Sequence, residues 1–129
     1  MYNKTKGYQV VLDFVWDTNT LNNEQLLLSI FYILKESIKK TSLMIVEESS
    51  VLLPIPPHKS EEGGTLFFQL DSSHVSAHLY YVSKLLAIDI FGCGFTDIER
   101  VSQEITDKLK EIIPSIKVSY RNSFSRFHH

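Results

Sequence analysis

The sequence predicts an α/β fold, a two-layer sandwich with an antiparallel-rich sheet covered on one face by two helices. Three observations predict it. Two segments repeat apolar residues at three- and four-residue spacing, the mark of an amphipathic helix. Short runs rich in β-branched and aromatic residues surround them and read as strands. The order along the chain is strand, helix, a run of strands, helix, strand, which builds a sheet with its helices on one side. The sheet's second face then lacks cover, which favours dimerisation through it.

Gly7 to Phe14 reads as the first strand, and Asp17 to Thr20 as turn and cap chemistry. Leu21 to Lys40 reads as a helix with Leu26, Ile30, Ile33, Leu34 and Ile38 on one face. Lys35, Lys39 and Lys40 crowd its C-terminal end, where the helix dipole favours cations. Ser42 to Glu48 reads as a second strand, continued by Val51 and Leu52. Pro54 to Gly64 holds three prolines, two glycines and a charged tip, and reads as a surface loop. Strands follow at Thr65–Leu70, Ser73–Tyr81 and Leu85–Phe91. Gly92-Cys93-Gly94 breaks the chain, and Thr96 is expected to cap a helix reaching Ile113. Its apolar face is Ile98, Val101, Ile105, Leu109 and Ile112. Pro114 ends it, Ile116–Tyr120 is the last strand, and residues 121–129 read as a polar tail.

Composition narrows the function. The chain has 129 residues, 43% hydrophobic and 22% charged, which suits a single globular domain over residues 1–129. Its formal charge is −2, so no basic excess argues for nucleic acid or a membrane surface. One cysteine excludes an intramolecular disulfide and a multi-cysteine zinc site. No apolar run approaches the roughly 18–20 residues of a membrane span, and Met1–Gly7 lacks a signal-peptide core. The expectation is a small cytoplasmic protein.

The densest polar constellation is Asp71-Ser72-Ser73-His74-Val75-Ser76-Ala77-His78, with Cys93 fifteen residues after His78. On a strand, His74, Ser76 and His78 share one face. Read alone, each residue has an ordinary structural explanation. Ser73 is a strand-edge serine, His78 a satisfied core histidine and Cys93 a small buried hydrophobe. His74, His78 and Cys93 lack a carboxylate or second cysteine to complete a zinc set, so no metal is expected.

Two motifs lift the constellation above that reading. Ser73-His74-Val75-Ser76-Ala77-His78 and Asp89-Ile90-Phe91-Gly92-Cys93-Gly94 resemble the hallmarks of the small bacterial and archaeal S-adenosylmethionine decarboxylases. The likeness extends to the Gly7–Phe14 strand, to Leu21-Asn22-Asn23 and to Leu53-Pro54. The resemblance implies a pyruvoyl-dependent enzyme of polyamine (spermidine) synthesis, made as a zymogen and matured by autocatalytic cleavage. By motif position, the chain would cleave between Ser72 and Ser73. The Ser73 hydroxyl would attack the preceding carbonyl, and elimination would leave a covalent pyruvoyl group. That group would take the substrate amine as a Schiff base and act as electron sink. His78 matches the processing base, Thr65 a serine that assists processing, and Cys93 the proton donor. A thiol, with an ordinary pKa near 8.5, suits that last role. Asp13 matches an acidic position on the first strand.

This sequence also departs from the family pattern. Ser72 stands where the family has Glu. Leu79-Tyr80-Tyr81-Val82 replaces Thr-Trp-Pro-Glu, whose Glu holds the ribose hydroxyls, and Val82 cannot accept a hydrogen bond. Leu52 replaces an aromatic that stacks on adenine. The alternative expectations are therefore a decarboxylase of a simple amino acid such as ornithine or arginine, or an uncleaved paralogue serving as partner or ligand-binding protein. Asp13 and Asp89 are the candidate carboxylates for a cationic substrate.

Overall fold

The computed structural model describes residues 7–18, 21–46, 53–54 and 63–127. Among these residues, six strands and two helices follow one another as β1 (Tyr8–Val15), α1 (Asn23–Lys39), β2 (Leu53–Pro54), β3 (Gly63–Gln69), β4 (His74–Tyr80), β5 (Leu85–Gly92), α2 (Phe95–Ile112) and β6 (Lys117–Ser125). They form one sheet in the order β2-β3-β4-β5-β1-β6, with every pairing antiparallel. Both helices cover the same face, as the sequence predicts. Strand alternation sends Val10, Leu12, Phe14, Val75, Ala77, Leu79, Leu86, Ile88 and Ile90 to that face, and all are buried. They meet Ile30, Leu34 and Ile38 of α1 and Ile98, Val101, Ile105 and Leu109 of α2.

Local chemistry sets the helix starts. α1 begins at Asn23, two residues later than the apolar pattern implies, because Asn22 and Gln25 form a reciprocal capping box. Gln25 N–H donates to Asn22 Oδ1 at 2.8 Å, and Asn22 N–H donates to Gln25 Oε1 at 3.2 Å. Asn22→Ala is expected to cost about 1 kcal/mol of stability, read by urea unfolding. The cap expected at Thr96 is not there. α2 starts at Phe95 with Gly94 as its N-cap and no side-chain cap bond. Its first-turn Asp97 instead accepts a hydrogen bond from Ser42 Oγ, tying α2 to the segment after α1.

Three further expectations change. Within Ser42–Glu48 the structure forms an isolated bridge, Ile45 to Leu70, rather than a strand. Residues 47–52, including Val51 and Leu52, lie outside the described residues. The ends of the expected Pro54–Gly64 loop are paired, with Pro54 opposite Gly64. Proline is tolerated there because β2 is an edge strand. Residues 121–125, expected as tail, continue β6 along the free edge of β1. Backbone pairing needs no apolar side chains, so the polar sequence hid this strand. β6 carries a bulge: Asp13 pairs Tyr120 and Phe14 pairs Val118, which leaves Ser119 as the extra residue. Among the described residues, no helix is long and apolar enough to cross a membrane.

Candidate active site

The β3–β4 connection carries the tandem serines. Leu70 N–H donates to the Ser73 carbonyl at 2.9 Å, which closes the turn. Asp71 N–H donates to the Met44 carbonyl at 3.2 Å and anchors it to the segment after α1. The two serines face different surroundings. Ser73 is 8% exposed and lies against Gly92 at the end of β5. A Cβ built on Gly92 would stand 2.9 Å from Ser73 Oγ and 2.4 Å from Ile98 Cδ1, so glycine leaves the room that Ser73 occupies. Ser72 is exposed, and its Oγ lies 2.8 Å from Cys93 Sγ. The expected nucleophile and the expected proton donor therefore belong to one cluster, at the junction of the β3–β4 and β5–α2 connections.

The remaining polar residues line the sheet face turned away from the helices. His74, Ser76 and His78 share that face, because Val75, Ala77 and Leu79 between them are buried. Cross-strand register arranges the face in rows. His74 sits opposite Gln69 and Phe91, and Gln9 opposite Phe91 and Phe124. Ser76 sits opposite Phe67 and Asp89, and His78 opposite Thr65 and Ala87. Asp13 lies in the His78 row, across Ala87 and beside Tyr120. The His74 ring stacks between Phe67 and Phe91, with centroids 5.8 and 5.7 Å away. His78 Nδ1 lies 3.3 Å from Thr65 Oγ1.

Thus the structure brings together Ser72, Ser73 and Cys93, and separately Thr65 and His78. Four residues of extended strand separate His78 from His74, the neighbour of Ser73. At roughly 3.3 Å per residue the two groups stand about 13 Å apart along β4. Asp89 falls between them in the Ser76 row. Val82 lies in the β4–β5 turn, 75% exposed. Leu52 lies outside the described residues. Among the described residues, no three His, Cys, Asp or Glu side chains gather as a metal-binding group.

Sequence reasoning missed two groups. Arg126 places its guanidinium 5.6 Å from the Phe91 ring centroid and donates to Gln9 Oε1 at 2.8 Å. It was hidden in the presumed tail, and only the pairing of β6 with β1 carries it to the His74 row. Behind the cluster, Tyr8 OH donates to Glu99 Oε2 at 2.6 Å, and Arg121 pairs with the other Glu99 oxygen. Burial, then the Glu99 hydrogen bond, pushes the Tyr8 phenol above its ordinary range. This triad joins β1, α2 and β6 close to the start of α2.

The arrangement supplies a buried hydroxyl at a tight turn, a thiol beside it and an imidazole paired to a hydroxyl on the open sheet face. A hydroxyl packed at a peptide turn suits attack on the preceding carbonyl, and the thiol suits proton delivery. Comparison with known proteins bears on the fold and the family. The chain matches the crystal structure of the adenosylmethionine decarboxylase from Aquifex aeolicus with a TM-score of 0.72. That match covers 98% of this chain and 94% of that one at 22% identity, and shows a shared fold. No curated protein matches the chain. The model of the S-adenosylmethionine decarboxylase family matches residues 8–122, a span that runs from β1 through most of β6 and includes both serines, His78 and Cys93. With nearly all of its sheet and both helices inside that match, the chain belongs to the S-adenosylmethionine decarboxylase family.

Proposed function

We propose that this chain is a self-cleaving, pyruvoyl-dependent decarboxylase acting on S-adenosylmethionine in polyamine synthesis. The observation that carries the reading is the placement of Ser73, buried against Gly92 in a closed turn, with the Cys93 thiol bonded to its neighbour Ser72. The residues present fit such a group, because the space beside Gly92 is one that any larger residue would fill.

Cleavage follows from the chain's own atoms. Ser73 Oγ adds to the Ser72 carbonyl carbon, the peptide C–N bond breaks, and the Ser72 acyl group passes to oxygen. Loss of the Ser73 α-proton then breaks the Cβ–O bond and releases Ser72 as a carboxylate. Water enters, ammonia leaves, and a ketone remains at the new N-terminus. When formed, that ketone supplies the electron sink for loss of CO2. Cys93 stands at hand to return a proton to the product.

The base for the α-proton is His78, with Thr65 as its hydroxyl partner. Five residues of chain, about 16 Å when extended, keep it from Ser73 within one chain. This supports a homodimer in which each copy gives Ser73 and Cys93 to one site and Thr65 and His78 to the other. The open sheet face supports the same pairing, since among the described residues it exposes Phe67, Leu85, Tyr120 and Phe124 on the side away from both helices. The free thiol suits a reducing, cytoplasmic setting.

A second substrate class has its own support. Val82 offers no acceptor for ribose, while Asp13 and Asp89 offer carboxylates on the open face. These favour a simple cationic amino acid such as ornithine or arginine on the same scaffold.

Intact-mass spectrometry of the denatured protein, with and without a carbonyl-reactive hydrazine, tests the reading. Cleavage predicts fragments 1–72 and 73–129, the second forming one hydrazone. A single intact chain, stable on incubation, sinks the decarboxylase and leaves the uncleaved paralogue, a partner or ligand-binding protein.

A further inference from the structure

We propose that Ser72, the residue before the scissile bond, is the positioning residue of the Cys93 thiol. The inference rests on the reading of Cys93 as proton donor. The tandem serines divide the work by direction. Ser73 is buried against Gly92, and Ser72 is exposed with its Oγ 2.8 Å from Cys93 Sγ.

The thiol needs such a tether. Cys93 leaves the end of β5 at Gly92 and is followed by Gly94, whose backbone carries no side chain to restrain it. A Cβ added to Gly94 would meet nothing within 4 Å, so packing does not fix that side of the turn. Gly94 caps α2 without any side-chain bond, so no cap holds the turn either. The β3–β4 turn, by contrast, is anchored twice through its backbone, at Leu70 and at Asp71. Ser72 carries that order across to the looser turn. Its own carbonyl carbon is the atom attacked during cleavage, so the hydroxyl sets the thiol's direction from within the reacting residue. Either atom of this pair could donate; with the sulfur as donor to Ser72 Oγ, the thiol is held as S–H, the form a proton donor must have.

The test uses a chain that cannot cleave, Ser73→Ala, in which Cys93 is the one cysteine. The rate of Cys93 alkylation by iodoacetamide is followed by intact mass between about pH 6 and 10, with Ser72 intact, Ser72→Ala or Ser72→Thr. Only free thiolate reacts. Loss of one hydrogen bond should speed alkylation about fivefold in the Ser72→Ala chain, while Ser72→Thr keeps the parent profile. Equal or slower alkylation in the Ser72→Ala chain overturns the proposal, as does a Ser72→Thr chain that behaves like it. Ser72 is an exposed turn residue, and matching thermal unfolding midpoints verify that all three chains are folded. Because none of these chains can cleave, the result stands whether or not the parent protein does. Failure of this inference and failure of the decarboxylase reading therefore appear in separate experiments.

Discussion

Chains carrying Ser73→Ala and chains carrying His78→Ala are each expected to remain uncleaved, and to yield cleaved product when refolded together. The reason is the strand length that separates the two groups within one copy. In a mixed dimer, one site combines Ser73 from the His78→Ala chain with His78 from the Ser73→Ala chain. The other site lacks both. Random pairing of equal amounts makes about half of the dimers mixed, so roughly half of the His78→Ala chains should be cut. Mass spectrometry distinguishes the fragments by their substitution. No cleavage in a mixture shown to contain the mixed dimer removes the shared site. Cleavage of His78→Ala alone removes His78 as the base.

Gly92→Ala should be nearly as damaging, by a different route. Its new methyl would sit 2.4 Å from Ile98 Cδ1 and 2.9 Å from Ser73 Oγ. Relieving the first contact means turning or displacing the Ile98 side chain, which is fully buried, at a cost of about 1–3 kcal/mol. Relieving the second means moving the nucleophile, and a displacement near 1 Å costs on the order of a hundredfold in rate. Adding Ile98→Val to Gly92→Ala separates the two effects. The double variant should regain stability in urea unfolding and still cleave slowly. Recovery of cleavage along with stability would show that only the core contact mattered.

How far the sequence carried this reading varied from element to element, for physical reasons. α1 and α2 were legible because burial against a sheet imposes a three-to-four-residue apolar repeat. β4 was legible in its alternation, and its polar face lies where period two puts it. β6 beyond Tyr120 was invisible, because Arg121, Asn122, Ser123 and Ser125 show no apolar alternation and are placed in the sheet by their backbone pairing with β1. Arg126 was lost with it. The segment after Thr41 looked like a strand by composition, yet it makes one bridge to Leu70 and contacts the β3–β4 turn. Among the site residues, the resemblance to the two family motifs implied one site for Ser73 and Cys93, and the β3–β4 and β5–α2 connections that carry them do meet. The Ser72–Cys93 contact had no signal, since a one-residue difference in which serine faces outward depends on turn geometry.

The strand order has a consequence for a chain broken between Ser72 and Ser73. The first piece would hold β1, α1, β2 and β3, and the second β4, β5, α2 and β6. In the sheet these interleave: β1 of the first piece is inserted between β5 and β6 of the second, and β3 abuts β4. Three of the five strand junctions therefore join different polypeptides. Neither piece can leave without breaking the three ladders they share, so the nick would cost the native state little cohesion. Unfolding, however, would change molecularity. The intact chain comes apart as one molecule, whereas the nicked one separates into two and its midpoint must rise with protein concentration.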